Sequence, residues 1–302
     1  MTIVIPMAGE SSRFVNEGYA PKYMLELKSG YTLFQAAVES FLDYFNTALF
    51  IFVTNSIDAT NWVNTQISLL EEKYTPIRDY KIITLDHITQ GQAETVYLGI
   101  KESLTEIYKH DHCVDKNNSY YSSYMYLKHQ HLYGESLVIF NIDTIRHNFK
   151  QDLDTVFELP ELHDLLNTVD SPAFFDAIYD VDAEENKWSF CKEIEPCLFS
   201  DAMFSHEISE TAEKKRIGKW YSTGLYIFPT PQVYMYAYET ACKSYDIITG
   251  SKEKYNFYIA PLYNVLIKYY KRRCFILPCD RINVEFAGVP KDYESLKAKY
   301  IN

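Results

Sequence analysis

No run of 18 or more apolar residues occurs in this 302-residue chain, so no segment reads as a helix that crosses a membrane. The N-terminus also lacks the basic flank and apolar core of a secretory signal, and a cytoplasmic protein is expected. Paired cysteines are missing: Cys113, Cys191, Cys197, Cys242, Cys274 and Cys279 include no C-x-x-C, which suggests neither a zinc ribbon nor a redox dithiol. Reduced thiols are the plain reading. Positive charge is scarce, with 29 basic against 41 acidic residues and a net charge of −12. Coating nucleic acid needs a basic face, so that class of partner is not expected. A small phosphorylated ligand needs only a few well-placed cations. The signatures G-x-x-x-x-G-K-[ST] and G-x-G-x-x-G are absent too. So are hexapeptide repeats, and no β-helical extension is expected.

What is present is core material. The chain is 47% hydrophobic and 23% charged, with 27 Tyr and 18 Phe, a balance that buries an ordered interior. In the first half, short apolar runs alternate with helical periodicity. Strands are predicted at 2–6, 48–55, 80–85 and 136–141, and helices at 32–45, 61–74 and 93–109. Leu33, Ala37, Phe41 and Tyr44 share one helical face. Strand, helix, strand in repetition predicts a mostly parallel sheet covered on both faces. Residues 110–134 are polar, Tyr-rich and aperiodic, and read as a surface insertion. The second half has longer polar loops: strands at 173–182, 187–195, 221–228, 274–278 and 283–290, helices at 232–245 and 256–270, and a closing helix. No linker or internal repeat divides the chain. One domain over 1–302 is expected, its second half elaborated, with a ligand at the carboxyl ends of the strands.

The first strand runs into "MAGESSRF", which spends Gly9, Ser11, Ser12 and Arg13 on a loop, followed by Pro21 and Lys22. A turn of this kind can aim consecutive backbone amides at one anion. Arg13 would grip phosphate oxygens with its fork, and Lys22 would add a point charge. The competing reading is a surface turn with two solvated cations, and the loop alone does not decide between them.

The stretch "IPMAGESSRF…GYAPKYMLEL" resembles the opening of the sugar-phosphate nucleotidylyltransferases, also called sugar-nucleotide pyrophosphorylases: a strand, A-G-x-G-x-R, then P-K. Ala8, Gly9, Arg13, Pro21 and Lys22 stand in order, with Ser11 in place of the second glycine. "TQGQAETVYLGI" (89–100), "LVIFNIDT" (137–144), "ETAEKKRIGKWYSTGLYIF" (210–228) and "FAGVPKDYESL" (286–296) resemble four later motifs of that family, in order. The resemblance runs from residue 1 to about 296 and leaves 110–134 uncovered.

It implies an α/β fold: a three-layer αβα sandwich with a mostly parallel, mixed central sheet of the Rossmann-like nucleotidyltransferase type. Residues 1–150 would be the nucleotide-binding half and 151–302 the acceptor-binding half. The implied reaction moves NMP from an NTP to a phosphorylated sugar or similar small phosphate and releases pyrophosphate, with Mg²⁺ as cofactor. The product would feed a surface polysaccharide or other glycoconjugate. A homo-oligomer is compatible with this reading. By the same resemblance, Ala8, Gly9, Glu10, Ser11, Ser12, Arg13, Gln90 and Gly91 would bind nucleotide. Lys22, Glu213, Lys214, Thr223 and Gly224 would bind acceptor, and Arg13, Lys22 and Asp143 would be catalytic. Asp143 would hold the metal. The family's second metal carboxylate falls on Phe286; either the adjacent Glu285 or Asp280 replaces it, or Asp143, substrate phosphates and water hold the metal.

These residue types suit the chemistry. Attacking phosphate and NTP are both anions, so the barrier is charge repulsion and positioning, and the nucleophile, already ionised, needs no general base. Each assignment has a plainer rival: Asp143 as a cap, Glu213 and Lys214 as a solvated pair, Gly91 as a turn glycine. Two other functions stay open. The segments "DLD" (152–154) and "DVD" (180–182) match the D-x-D of nucleotide-sugar glycosyltransferases, though neither explains Arg13 and Lys22. Ser11 and Phe286 would suit a catalytically silent binding subunit.

Overall fold

The computed structural model describes residues 1–110, 135–157, 171–194, 206–250 and 254–301. In chain order the first half contains β1 (Thr2–Pro6), α1 (Ser12–Val15), β2 (Glu26–Lys28), β3 (Tyr31–Thr32), α2 (Leu33–Glu39), β4 (Leu49–Thr54), α3 (Ile57–Lys73), β5 (Asp79–Thr84), α4 (Gln92–His110), β6 (Leu137–Phe140), β7 (Thr144–Arg146) and α5 (Phe149–Phe157). The second half contains β8 (Ala173–Tyr179), β9 (Ser189–Glu193), β10 (Ile208–Glu213), β11 (Trp220–Phe228), α6 (Pro231–Thr249), α7 (Leu262–Lys268), β12 (Cys274–Pro278), β13 (Val284–Phe286) and α8 (Pro290–Ile301).

The apolar runs 2–6, 49–54 and 137–140 become neighbours. β6, β1, β4 and β5 lie side by side and parallel. β11 then runs antiparallel to β6, pairing Tyr226 with Ile139, and carries β9 and β10 beyond it. β8 also pairs with β11, and β12 runs parallel to β8. The two halves therefore share one mixed sheet.

Strand alternation sorts the side chains into two cores. Val4, Ile51 and Val53 face α4, α6 and α7, packing with Val96, Tyr234 and Leu262. Ile3, Ile5, Phe50 and Phe52 face α2, α3 and α5, packing with Phe34, Val63 and Phe149. The result is the expected three layers. α8 returns to the N-terminal half, where Tyr293 packs edge-on to Phe14 and its hydroxyl donates to the Glu26 carbonyl at 2.7 Å.

Local differences have local causes. The predicted helix over 32–45 is split: α2 opens on a Thr32–Gln35 capping box and ends at Ser40, and a 3₁₀ turn covers Leu42–Tyr44. The predicted helix over 256–270 begins only at Leu262, because Phe257 takes a left-handed φ of 58° and Pro261 stands just before the first turn. β2, β3, β7 and β10 were not anticipated; the first three span at most three residues each, too short for any periodicity to register. Apart from His110, the insertion lies outside the described residues.

Candidate active site

β1 ends at Pro6, and Met7 N–H still donates to the Val53 carbonyl at 2.8 Å, so the loop leaves from a fixed point. The Asn55 amide donates to the Ala8 carbonyl at 3.2 Å, which holds the loop's first turn. Ser11, standing at the second-glycine position, sits in the left-handed region with φ 51° and ψ 32°. Its hydroxyl accepts the Lys22 N–H at 3.2 Å. The serine therefore adopts the conformation that glycine would take freely, and its side chain ties the loop to Lys22. Behind this loop lies a cleft of about 310 Å³, lined by Met7, Ala8, Gly9, Ser11, Gly91 and Thr95 among others. Gly91 is there for lack of space: a Cβ would stand 2.7 Å from the Phe257 carbonyl oxygen.

A second cleft of about 330 Å³ adjoins the first. Glu213, Lys214, Thr223, Gly224, Tyr258, Trp188 and Phe286 line it. Burial pushes the Glu213 carboxyl upward in pKa, while the Ser189 hydroxyl that it accepts and the nearby Lys214 pull it back. The Lys214 ammonium donates to the Tyr258 hydroxyl at 2.6 Å and lies 4.5 Å from the ring centre. Gly224 has φ 91°, and a Cβ there would meet the Asn141 amide at 2.8 Å, so glycine serves both backbone and space.

Four residues line both clefts: Lys22, Gln92, Asn141 and Asp143. The Lys22 ammonium lies 2.7 Å from the Asp143 carboxylate, and the Gln92 side-chain amide donates to Asn141. The partition is thus a cation, an anion and two amides, placed where two ligands would meet. β7 and β13 hold Asp143 in place: the Ala287 N–H donates to its carbonyl at 2.8 Å, and Phe286 pairs with Thr144. Beneath them the fully buried Arg146 donates to both oxygens of Asp176, at 3.1 and 3.0 Å, and to Asp152 at 2.7 Å. The Thr223 hydroxyl donates to the same Asp176 carboxylate. Burial drives the Asp176 pKa up, against the pull of the Arg146 fork.

Most of the expected residues converge here. Ala8, Gly9, Ser11 and Gly91 line the first cleft, and Glu213, Lys214, Thr223 and Gly224 the second, with Lys22 and Asp143 in both. Arg13 lines the second cleft rather than the first, exposed and with no hydrogen-bond partner among the described residues. Glu10, Ser12 and Gln90 are exposed and line neither. Glu285 does not join Asp143. β13 alternates, so Phe286 enters the cleft while Glu285 turns to Lys299 at 3.1 Å and His147 at 3.8 Å. Asp280 lines neither cleft. Among the described residues no group of three His, Cys, Asp or Glu side chains is arranged to hold a metal ion. Nor is any helix among them long and apolar enough to cross a membrane. Sequence reasoning missed Gln92, Asn141, Trp188 and Tyr258. The first two sat inside quoted motifs, beside Gly91 and Asp143. The aromatic pair carried no signal in a chain with 27 Tyr, 18 Phe and 3 Trp.

Solved structures share this fold. The chain is similar to a nucleoside-diphosphate-sugar pyrophosphorylase from Vibrio cholerae RC9, with 32% identity over 98% of this chain and 99% of that one, at a TM-score of 0.70. An inositol-1-phosphate CTP transferase from T. maritima matches in fold, at 14% identity over 99% and 95% of the two chains and a TM-score of 0.58. A UDP-glucose pyrophosphorylase from Acinetobacter baumannii does so at 12% identity over 99% and 92%, with a TM-score of 0.59. No protein-family model and no curated protein matches the chain.

Proposed function

The chain belongs to the sugar-phosphate nucleotidylyltransferases, and on that premise we propose that the partition between its two clefts is where the transfer occurs. The enzyme moves NMP from an NTP to a sugar phosphate, giving an NDP-sugar and pyrophosphate. The observation that carries the assignment is the wall of Lys22, Asp143, Gln92 and Asn141 shared by both clefts. NTP occupies the cleft behind the Gly9–Ser11 loop, and the sugar phosphate occupies the one with Glu213 and Lys214.

An oxygen of the acceptor phosphate attacks the α-phosphorus, the bond from that phosphorus to the bridging oxygen breaks, and pyrophosphate leaves with its electron pair. Lys22, released from Asp143, neutralises charge where the two anions approach. Arg13, unpartnered at the rim, supplies a second cation to the phosphates. Loop amides around Gly9 and Ser11 hold the leaving phosphates, and Glu213 accepts acceptor hydroxyls.

Asp143 is a hard oxygen donor facing both clefts, and Mg²⁺ is commonly held by one or two carboxylates together with substrate phosphates and water. This single-carboxylate donor set fits an ion carried largely by the nucleotide, with Asp143 as its protein ligand. Bound there, Mg²⁺ would offset charge on the reacting phosphates. A cytoplasmic location follows from the same reading.

Pyrophosphate release tests the proposal, with four NTPs screened against a panel of sugar phosphates in Mg²⁺. Asp143→Asn and Lys22→Ala are each expected to lower kcat by about 10²–10³-fold, the scale of one lost charge-stabilising group. Full activity in either variant would refute its role.

A further inference from the structure

Resting on that reading, we infer that Trp188 and Phe286 form an aromatic wall that selects the acceptor by stacking on the apolar face of its ring. Phe286 stands where the family resemblance places a metal carboxylate, so this position has been given a different task. β13 turns it into the acceptor cleft, 4.6 Å from the Trp188 ring at an interplanar angle of 54°. Both rings are half-buried, so each keeps surface toward the cleft.

The pair is built rather than incidental. Trp188 leans on Tyr221 at 4.9 Å, and behind them lie the buried Phe190, Ile178 and Val284. Arg281 sits 5.2 Å from the Phe286 ring and Lys187 5.1 Å from Trp188; Lys187 is itself held by Asp292 at 3.0 Å. These contacts fix the rings before any ligand arrives, which lowers the ordering cost of binding. The same cleft carries hydrogen-bonding groups at Glu213 and Thr223. One apolar wall with convergent polar groups suits a hydroxylated ring that presents a C–H face, a pyranose or cyclitol phosphate. An open-chain phosphomonoester presents no such rigid C–H face and would have to be ordered to meet both.

The test is steady-state kinetics with the NTP and sugar phosphate that give pyrophosphate release, on the full-length protein. Trp188→Ala and Phe286→Ala should each raise the acceptor KM about tenfold, leaving the NTP KM and kcat nearly unchanged. Trp188→Phe should recover most of that loss. The chain has three Trp, so acceptor binding should also change tryptophan emission in the wild type and do so far less in Trp188→Phe. An unchanged acceptor KM in both alanine variants would overturn the inference. So would a loss spread equally over kcat and both KM values, the mark of a general structural defect. Absence of release by the wild-type protein with every pair would instead sink the functional reading beneath it.

Discussion

The two clefts adjoin, yet they are made in different ways. The nucleotide side is built around one strand end and its loop, residues 6 to 11, with Gly91 just before α4 supplying room and the shared wall closing it. On the proposed reading its loop contributes backbone amides, and its charged and amide side chains are those of the shared wall, Lys22, Asp143, Gln92 and Asn141. The acceptor side gathers side chains from β9, β10, β11, β13 and the segment before α7, from Ser189 to Phe286 along the chain. Trp188 and Phe286, 4.6 Å apart, are such a pair. A backbone cradle tolerates changes of side chain, whereas a side-chain cleft depends on the framework that fixes each rotamer. The acceptor side should therefore be the more fragile of the two.

The sharpest test lies in that framework. Asp176 accepts two bonds from the buried Arg146 and one from Thr223, a residue of the acceptor cleft. Asp176→Asn leaves the buried guanidinium with Asp152 as its remaining carboxylate among the described residues, and about 3 kcal/mol of stability should be lost in urea unfolding. Replacing both members, with Arg146→Met and Asp176→Leu, should cost far less. If the single and double variants unfold alike, the pair is not what couples β7 to β8.

The contrast also explains what could be read in advance. The central parallel strands β1, β4 and β6 announced themselves because each is a continuous apolar run buried on both faces, as in "TIVIP" and "LFIFVT". The loop, Lys22 and Asp143 were singled out through the resemblance of several motifs in order along the chain, and strand ends in a parallel sheet point one way, which is why such motifs meet in space. Glu285 was misplaced because a three-residue strand offers too little pattern to tell which neighbour faces in. Trp188 and Tyr258 became site residues only through contacts with Phe286 and Lys214, which no local pattern encodes.

A middle-sized effect should come from the point where the two sides touch. Gly91 accommodates the Phe257 backbone, Ala93 N–H donates to the Phe257 carbonyl at 2.8 Å, and the next residue, Tyr258, receives Lys214. Gly91→Ala forces a Cβ within 2.8 Å of the Phe257 Cβ and should cost about 1–3 kcal/mol. Because Phe257 must move, KM should rise for the acceptor as well as for the NTP. A change confined to the NTP would show that the two clefts are independent.

Glu213 gives a smaller, pH-dependent difference. Burial holds its pKa above the usual glutamate range, so the carboxylate is protonated at a higher pH than a solvated one. The acceptor KM should rise as pH falls through that raised value, while the NTP KM stays level. Glu213→Gln should flatten the profile, with an acceptor KM about fivefold higher above the inflection, the scale of one hydrogen bond. Stability moves with the opposite sign. A raised folded pKa makes ionisation costly, so stability falls as pH rises from the unfolded toward the folded value, and glutamine should remove that fall. An acceptor KM that is flat with pH in the wild type would take Glu213 out of acceptor binding.

The smallest expected effect on stability is at Ser11, where it should be most informative. A left-handed serine costs about 1–2 kcal/mol of backbone strain, which Ser11→Gly would relieve. Against that, glycine adds about 0.4–1 kcal/mol of unfolded-state entropy. It also deletes the hydroxyl that accepts the Lys22 N–H, about 0.5–1.5 kcal/mol. The terms nearly cancel, and the melting transition should scarcely move. Catalysis should respond differently, because the lost bond is the one that ties the phosphate loop to Lys22. A several-fold fall in kcat/KM at unchanged stability would show that the serine is kept for aim rather than for folding. Unchanged kcat/KM would mean that the 3₁₀ turn after Pro21 positions Lys22 by itself, and the nucleotide side would then be a backbone cradle throughout.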